Sequence, residues 1–510
     1  MSRSAETDPR KVLHYTDLQR SKPTRQEDPY QYQAGWGNRF QSEIIPGALP
    51  VAQNNPQDRG FGLYTEGFTS SSFAAPRNAH RSAYLYRARP SAAHNGYSDI
   101  QTRSHVESCF LSINKNLQTL PQLAEWSPFP IPDANDATDF IDGLHTLGGS
   151  GDANLGEGLA IHIYAFNADM RNKAYCNTDG EFLITPQLGT LDIQTEMGML
   201  FVQPGEICVI PRGVNFRMAI ANGATAARGY ITEIWGSVWE LPDLGPLGGY
   251  ALANARDFLY PVAHIDEDLM VPYTIVVKTN GKLVAISQDH SPFDVVAWHG
   301  NVCPYKYDLT KFSSQNSTSV DHTDPSIFTV LQAKSRDPNT ALAEYLWFGP
   351  RWDMASNSFR PPYFHRNAAS EFLGCIYGAG LGRGNDFVPG AASYDSGFTA
   401  HGSFADEMVE ELALKVNVPR KILMNQMTFM IESSRTLLFT KWARQDCGVF
   451  DNHSIDPQVW KKLPDRFSTN PEVRKLLQRR KEEAEKEIER LNYYHNVTLL
   501  DTQVKITTKA

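Results

Sequence analysis

From Tyr30 to about residue 310 the chain is written in short runs of β-forming residues, each cut by Gly, Pro, Asn or Asp before a helical period can establish itself. That grammar leaves room for little except stacked antiparallel sheets. The clearest stretch is DGEFLITPQLGTLDIQTEMGMLFVQPGEICVIPRG at 179–213. Within it Leu191, Ile193 and Thr195 alternate with Asp192, Gln194 and Glu196, the period of two that buries one face of a strand. The predicted fold is therefore all-β: an N-terminal β-sandwich domain over 29–310, preceded by a polar tail over 1–28 without periodicity.

The ending PGEICVIPRG at 204–213 resembles the second motif of the cupin jelly rolls, where a turn, a buried strand and a Pro-x-Gly turn close the barrel. Cupin metal sites use His-x-His and a Glu on the preceding strand. Residues 179–200 contain no histidine, so the expectation for this first barrel is a pocket without metal. A second β-rich block over 311–450 holds SIFTVLQA at 326–333, EFLGCIYG at 371–378 and MTFMIESSRTLLFTKW at 427–442, and is read as a C-terminal cupin-like jelly roll carrying the chemistry. The extension over 451–510 ends in a helix that opens with Asn470 as N-cap and Pro471 at the first helical position. Its apolar stripe, Val473, Leu477, Ala484, Ile488 and Leu491, suits either its own body or another subunit.

Charge and composition remove several functions. With 48 basic and 57 acidic residues in 510 the net charge is −9, which argues against a phosphate-binding surface and hence against nucleic acid. No apolar run is long enough for a membrane span, and the charged N-terminus has no secretory core, so the expected location is cytoplasmic. Six scattered cysteines without a C-x-x-C pair indicate reduced, buried thiols. There is no nucleophile elbow, no zinc helix and no phosphate loop; the Gly-rich GAGLGRG at 378–384 reads as a turn.

Histidine chemistry is what remains. His365 is followed six positions later by Glu371, and His401 closes the phrase FTAHG. Two imidazoles and one carboxylate can hold a non-haem Fe(II) and leave positions open for substrate and dioxygen. The spacing by itself demonstrates no metal site: three histidines have an acid six residues on, His365/Glu371, His401/Glu407 and His495/Asp501, where chance supplies one or two. Neither a straight helix nor a straight strand brings residues six apart to one ion, so the chain must turn between His365 and Glu371.

Several long phrases carry a family resemblance: YQAGWGNRFQSE at 32–43, DGLHTLGGSGD at 142–152, GLAIHIY at 158–164, ELPDLGPLGGYALANARDFL at 240–259, SPFDVVAWHGN at 291–301, DHTDPSIFTVL at 321–331 and RPPYFHRN at 360–367. Together they resemble homogentisate 1,2-dioxygenases over roughly 30–445. The resemblance implies one Fe(II), held by His365, Glu371 and His401, and trimers paired into hexamers. It implies opening of an aromatic ring with both atoms of O2 retained, from homogentisate to maleylacetoacetate in tyrosine and phenylalanine catabolism. His322, in DHTDPS, falls where the family has its acid/base histidine, in keeping with an imidazole's titration near neutrality.

His401 and Asn367 are expected beside the substrate, and Arg366 and Arg383 are candidates for its carboxylate. One position departs from the pattern. The family carries a tyrosine nine residues after the glutamate, and here that position is Gly380, with Tyr377 the nearest phenol. A related hydroquinone or phenol as substrate, and a cupin that binds without turnover, are the alternatives that follow.

Overall fold

The computed structural model describes the chain except for residues 1–21, 53–55, 222, 245–251, 316–324, 338–339, 354–362, 379–386, 415–417, 452–457 and 508–510. The protein is all-β with a C-terminal helix, and residues 1–456 and 457–510 form two separate compact units. In the first unit an eleven-stranded and a seven-stranded sheet make the sandwich expected from the N-terminal half. The strand Leu191–Thr195 sits in the seven-stranded sheet between Gly198–Val202 and Asn215–Ile220. Its alternation is less clean than the sequence suggests, because Gln194 is buried too, its amide donating to Asp266 Oδ1 at 3.1 Å. Covering both faces of a strand turns a polar position into a hydrogen-bonded core position.

A buried polar cluster ties the two sheets together. Lys278, on Tyr273–Thr279 of the seven-stranded sheet, donates to Asp179 Oδ2 at 2.7 Å, to Ser108 Oγ at 2.6 Å and to Glu233 Oε2 at 2.9 Å. Glu233, on Ala227–Trp235 of the eleven-stranded sheet, also accepts from Asn177 at 2.7 Å and lies 2.9 Å from His162 Nε2. Both charged groups are fully buried, so each depends on the other to offset lost hydration. Burial raises the Glu233 carboxyl, but Lys278 and the hydrogen bonds outweigh it and hold the pKa at about 2.

The second sheet system has eight strands, with Ser370–Tyr377 between Met427–Ser433 and Ala392–Asp395. Strands cross between the two β blocks. Ala124–Trp126 and Trp239–Glu240, from the N-terminal half, are members of the eight-stranded sheet, while Leu438–Thr440, from the C-terminal half, joins the eleven-stranded one. The glycine pair of DGLHTLGGSGD allows close strand approach on both sides, and Gly148 permits the last of these crossings. A Cβ at Gly148 would stand 2.7 Å from Leu438 O, and one at Gly149 2.4 Å from Leu159 O. Gly148→Ala is expected to cost about 1–3 kcal/mol, as overpacking of a well-filled interior does, and denaturant unfolding measures it.

The last residues of the polar tail make specific contacts. Arg25 pairs with Glu206 at 2.9 Å and Asp308 at 2.8 Å, and Asp28 accepts from Lys306 at 2.5 Å, so the end of the polar tail is bound to the sandwich. The C-terminal helix runs Pro471–Thr507 and is capped as its sequence predicts, the Asn470 side-chain Oδ1 accepting from the backbone N–H of Glu472 at 3.0 Å. Among the described residues, no helix is long and apolar enough to cross a membrane. GAGLGRG lies almost wholly outside the described residues.

Candidate metal centre

The centre begins with a two-residue ladder. His365 donates its backbone N–H to His401 O at 3.0 Å, and His401 returns one to His365 O at 3.1 Å, an isolated antiparallel bridge between the loop before Ser370–Tyr377 and the loop after Ala392–Asp395. The approach requires a small residue after His401: a Cβ at Gly402 would lie 2.6 Å from the Phe364 ring. The bridge sets the two imidazoles with centroids 4.2 Å apart. After His365 the chain bends, and Phe398 N–H donates to Asn367 O at 2.7 Å, which ties the bend to the other loop. The strand then starts at Ser370 and brings Glu371 back beneath both rings.

Main-chain carbonyls fix the rings. His365 Nδ1 faces Tyr363 O at 2.9 Å and His401 Nδ1 faces Thr399 O at 2.8 Å. A ring nitrogen facing a carbonyl carries the proton, so in each neutral imidazole Nε2 is left as a bare lone pair. Both lone pairs converge on the same carboxylate, His365 Nε2 at 3.3 Å from Glu371 Oε1 and His401 Nε2 at 3.2 Å from Glu371 Oε2. His401 Nε2 is buried and, at that angle, satisfies no hydrogen bond. Donor atoms of the three residues lie within 4.8 Å of one another.

Carboxylates gather in the sheet around the centre: Glu344, Glu432, Glu371 and Asp395 stand directly opposite one another on four neighbouring strands, and residues so paired project to one face of a sheet. Burial raises the Glu371 carboxyl, yet the two imidazoles beside it hold it well below the usual carboxylate range. The His365 ring is raised by its bond to Glu371, and the His401 ring is raised because the Glu371 and Asp395 carboxylates close by outweigh burial. A carboxylate facing two imidazole nitrogens thus favours positive charge between them, which a divalent metal would supply. Two imidazoles, one carboxylate and an orphaned buried lone pair suit a three-ligand site for Fe(II) or a similar ion.

Two family profiles tile the chain, "Homogentisate 1,2-dioxygenase N-terminal" over residues 31–309 and "Homogentisate 1,2-dioxygenase C-terminal" over 310–467. The chain belongs to the homogentisate 1,2-dioxygenase family. Its relatives of that name include the Mus musculus protein, 45% identical over 444 residues, with 86% of this chain and 97% of that protein covered. The Homo sapiens protein is 45% identical over 445 residues with the same coverage of both. The Arabidopsis thaliana protein is 44% identical, covering 86% of this chain and 93% of its own length.

Against the homogentisate 1,2-dioxygenase pattern, the structure gathers His365, Glu371 and His401. Glu407 is on the helix Ala405–Ala413, and His495 is on Pro471–Thr507. His290 sits against Asp289 at 2.9 Å and His299 stacks on Tyr84, both in the N-terminal half. His322, Gly380 and Arg383 lie outside the described residues. Arg366 is exposed. Tyr377 is at the far end of the strand that begins beside Glu371, six residues or about 20 Å away, with its ring against Gly205, so it does not stand in for a phenol near the centre.

Asn367 has a part that the sequence reading did not assign. Its amide donates to Glu371 Oε1 at 3.1 Å, so it supports the carboxylate directly, while its Oδ1 is buried without a partner. The carbonyls of Tyr363 and Thr399 were also missed, since main-chain support leaves no mark on side-chain identity.

Proposed function

We propose that this chain is an Fe(II)-dependent ring-cleaving dioxygenase that converts homogentisate and O2 to maleylacetoacetate. The observation that carries the reading is the convergence of His365, Glu371 and His401, two tautomer-fixed imidazoles and a carboxylate, in a chain of this family. Ferrous iron held by these three would offer open positions to a phenolate and to dioxygen and a path for electrons from ring to oxygen. The protein's own groups do the rest. The main-chain bridge holds both imidazoles in place before anything binds. Asn367 fixes the carboxylate through Nδ2 and presents Oδ1 as an acceptor for a ring hydroxyl. His322, assigned by its place in DHTDPS, takes the proton that the substrate hydroxyl gives up on binding. The substrate carboxylate is assigned to Arg366 or Arg383, and Gly380 stands in the sequence where the family resemblance implies a tyrosine, a change that removes a phenol. The reading extends to a homo-oligomer, a trimer or hexamer as the family resemblance implies.

Oxygen uptake by Fe(II)-loaded protein with homogentisate tests this. The expected result is one O2 consumed per ring opened, with both atoms of 18O2 found in the product by mass spectrometry. Turnover of other hydroquinones with none of homogentisate would overturn the substrate. Asn367→Ala is expected to weaken metal retention or activity by about 10–100-fold, the usual cost of losing a group that orients a ligand, and metal titration followed by uptake rates measures it. His322→Gln is expected to lower kcat by roughly 10²–10⁴-fold while metal content stays unchanged, as loss of a proton carrier does.

A further inference from the structure

The helix Pro471–Thr507 begins beyond the end of the family match at residue 467, so the metal chemistry gives no account of it. It carries an apolar seam on an otherwise charged surface: Val473 is half-buried, and Leu476, Leu477, Ile488, Leu491 and Tyr494 are exposed. Val473, Leu477, Arg480, Ala484, Ile488 and Leu491 recur over 18 residues in five steps. That average is close to the 3.6 residues per turn of a straight helix, so the seam stays on one side without supercoiling.

Charge order along the helix decides what the seam meets. Residues 474–481 hold five basic side chains (Arg474, Lys475, Arg479, Arg480, Lys481) and no acid. Residues 482–489 hold five glutamates and one lysine. The order is adverse for a helix on its own, since the positive end of its dipole favours acids first and bases last, and Lys or Arg preceding Glu by four is the weaker orientation. The internal pairs Arg479–Glu483 and Lys481–Glu485 are accordingly long, at 3.8 and 4.0 Å.

We infer that this helix pairs antiparallel with the same helix of a second copy of the chain, about a two-fold axis near Glu482. In that register Val473 of one copy meets Leu491 of the other, Leu477 meets Ile488, and the stem of Arg480 covers Ala484. Each meeting occurs twice, as a two-fold axis requires. The flanking charges fall into opposite-sign pairs, Lys481 with Glu485, Arg479 with Glu483 and Glu472 with Arg490. A parallel pairing would instead set basic block on basic block and acidic block on acidic block, which like-charge repulsion opposes. The overlap from 473 to 491 is about 27 Å long at 1.5 Å per residue.

Cysteine cross-linking in the full chain tests the pairing and its direction. Val473→Cys and Leu491→Cys proteins, mixed and mildly oxidised, are expected to give a 473–491 disulfide identified by peptide mass spectrometry, while neither variant cross-links to itself through the new cysteine. Self-linking of each single variant would mean a parallel pair, and no link in the mixture would mean no pair; either overturns the inference. A charge exchange guards against a substitution that merely disturbs the helix. Reversing the five basic residues of 474–481 to Glu in both cysteine proteins should abolish the link. Reversing the glutamates of 482–489 to Lys as well should restore it, and failure of that restoration also overturns the inference.

Discussion

Glu371→Gln is expected to empty the metal centre and abolish oxygen uptake, with a loss beyond the roughly 10–100-fold that removal of an orienting partner brings. The substitution keeps the shape of the side chain and removes the only anionic donor among the three that converge there. Two neutral imidazoles then face an amide, and a divalent ion loses both charge and a donor atom. The apo protein should lose some stability as well, because the two imidazoles hold the Glu371 carboxyl below its ordinary range and Asn367 donates to it, contacts that a neutral amide keeps only in part. Elemental analysis of iron, oxygen uptake and thermal unfolding of the metal-free forms check the three parts. Full iron content in the variant would remove Glu371 from the ligand set.

Lys278→Met is expected to destabilise the fold by about 3–5 kcal/mol, the usual result of removing one partner from a buried ion pair. Methionine matches the lysine stem, so packing is preserved and the loss is electrostatic. Glu233 and Asp179 are left buried without the lysine that both contact. The pH dependence follows from sign. In the parent, Glu233 titrates at about 2, below its ordinary 4.5, so it contributes stability fully above pH 4.5 and loses that contribution as pH falls toward 2. Without Lys278, burial is the leading influence on Glu233 and pushes its carboxyl up. The gap between parent and variant should therefore be widest at neutral pH and narrow in acid. Denaturant unfolding across that range measures it. Adding Glu233→Gln and Asp179→Asn to Lys278→Met should recover part of the loss, because a buried polar cluster without net charge costs less than unpaired ions.

The all-β class, the C-terminal helix with its Asn470 cap and the grouping of His365, Glu371 and His401 could be read from residue order. Turn residues punctuate strands, a cap needs one residue type at one place, and long shared phrases carry ligand positions with them. What stayed hidden depends on register. Nothing in the letters of Glu344, Asp395 and Glu432 says that they stand in line with Glu371, since strand pairing is set by contacts far apart in the chain. The same holds for Lys278 and Glu233, 45 residues apart, and for the carbonyls that orient the imidazoles. Gln194, polar in sequence and buried in the sandwich, shows the converse: alternation marks one covered face and is silent when a second layer covers the other.

The exchanged strands bear on how the chain is made. When residue 310 leaves the ribosome, the eleven-stranded sheet still lacks Leu438–Thr440, and Ala124–Trp126 has no sheet to join. The nascent N-terminal half therefore waits with unpaired strand edges, a state open to wrong pairing, until more than a hundred further residues have been synthesised. Splitting the gene at the junction of its two halves should yield fragments that complement each other only when produced together.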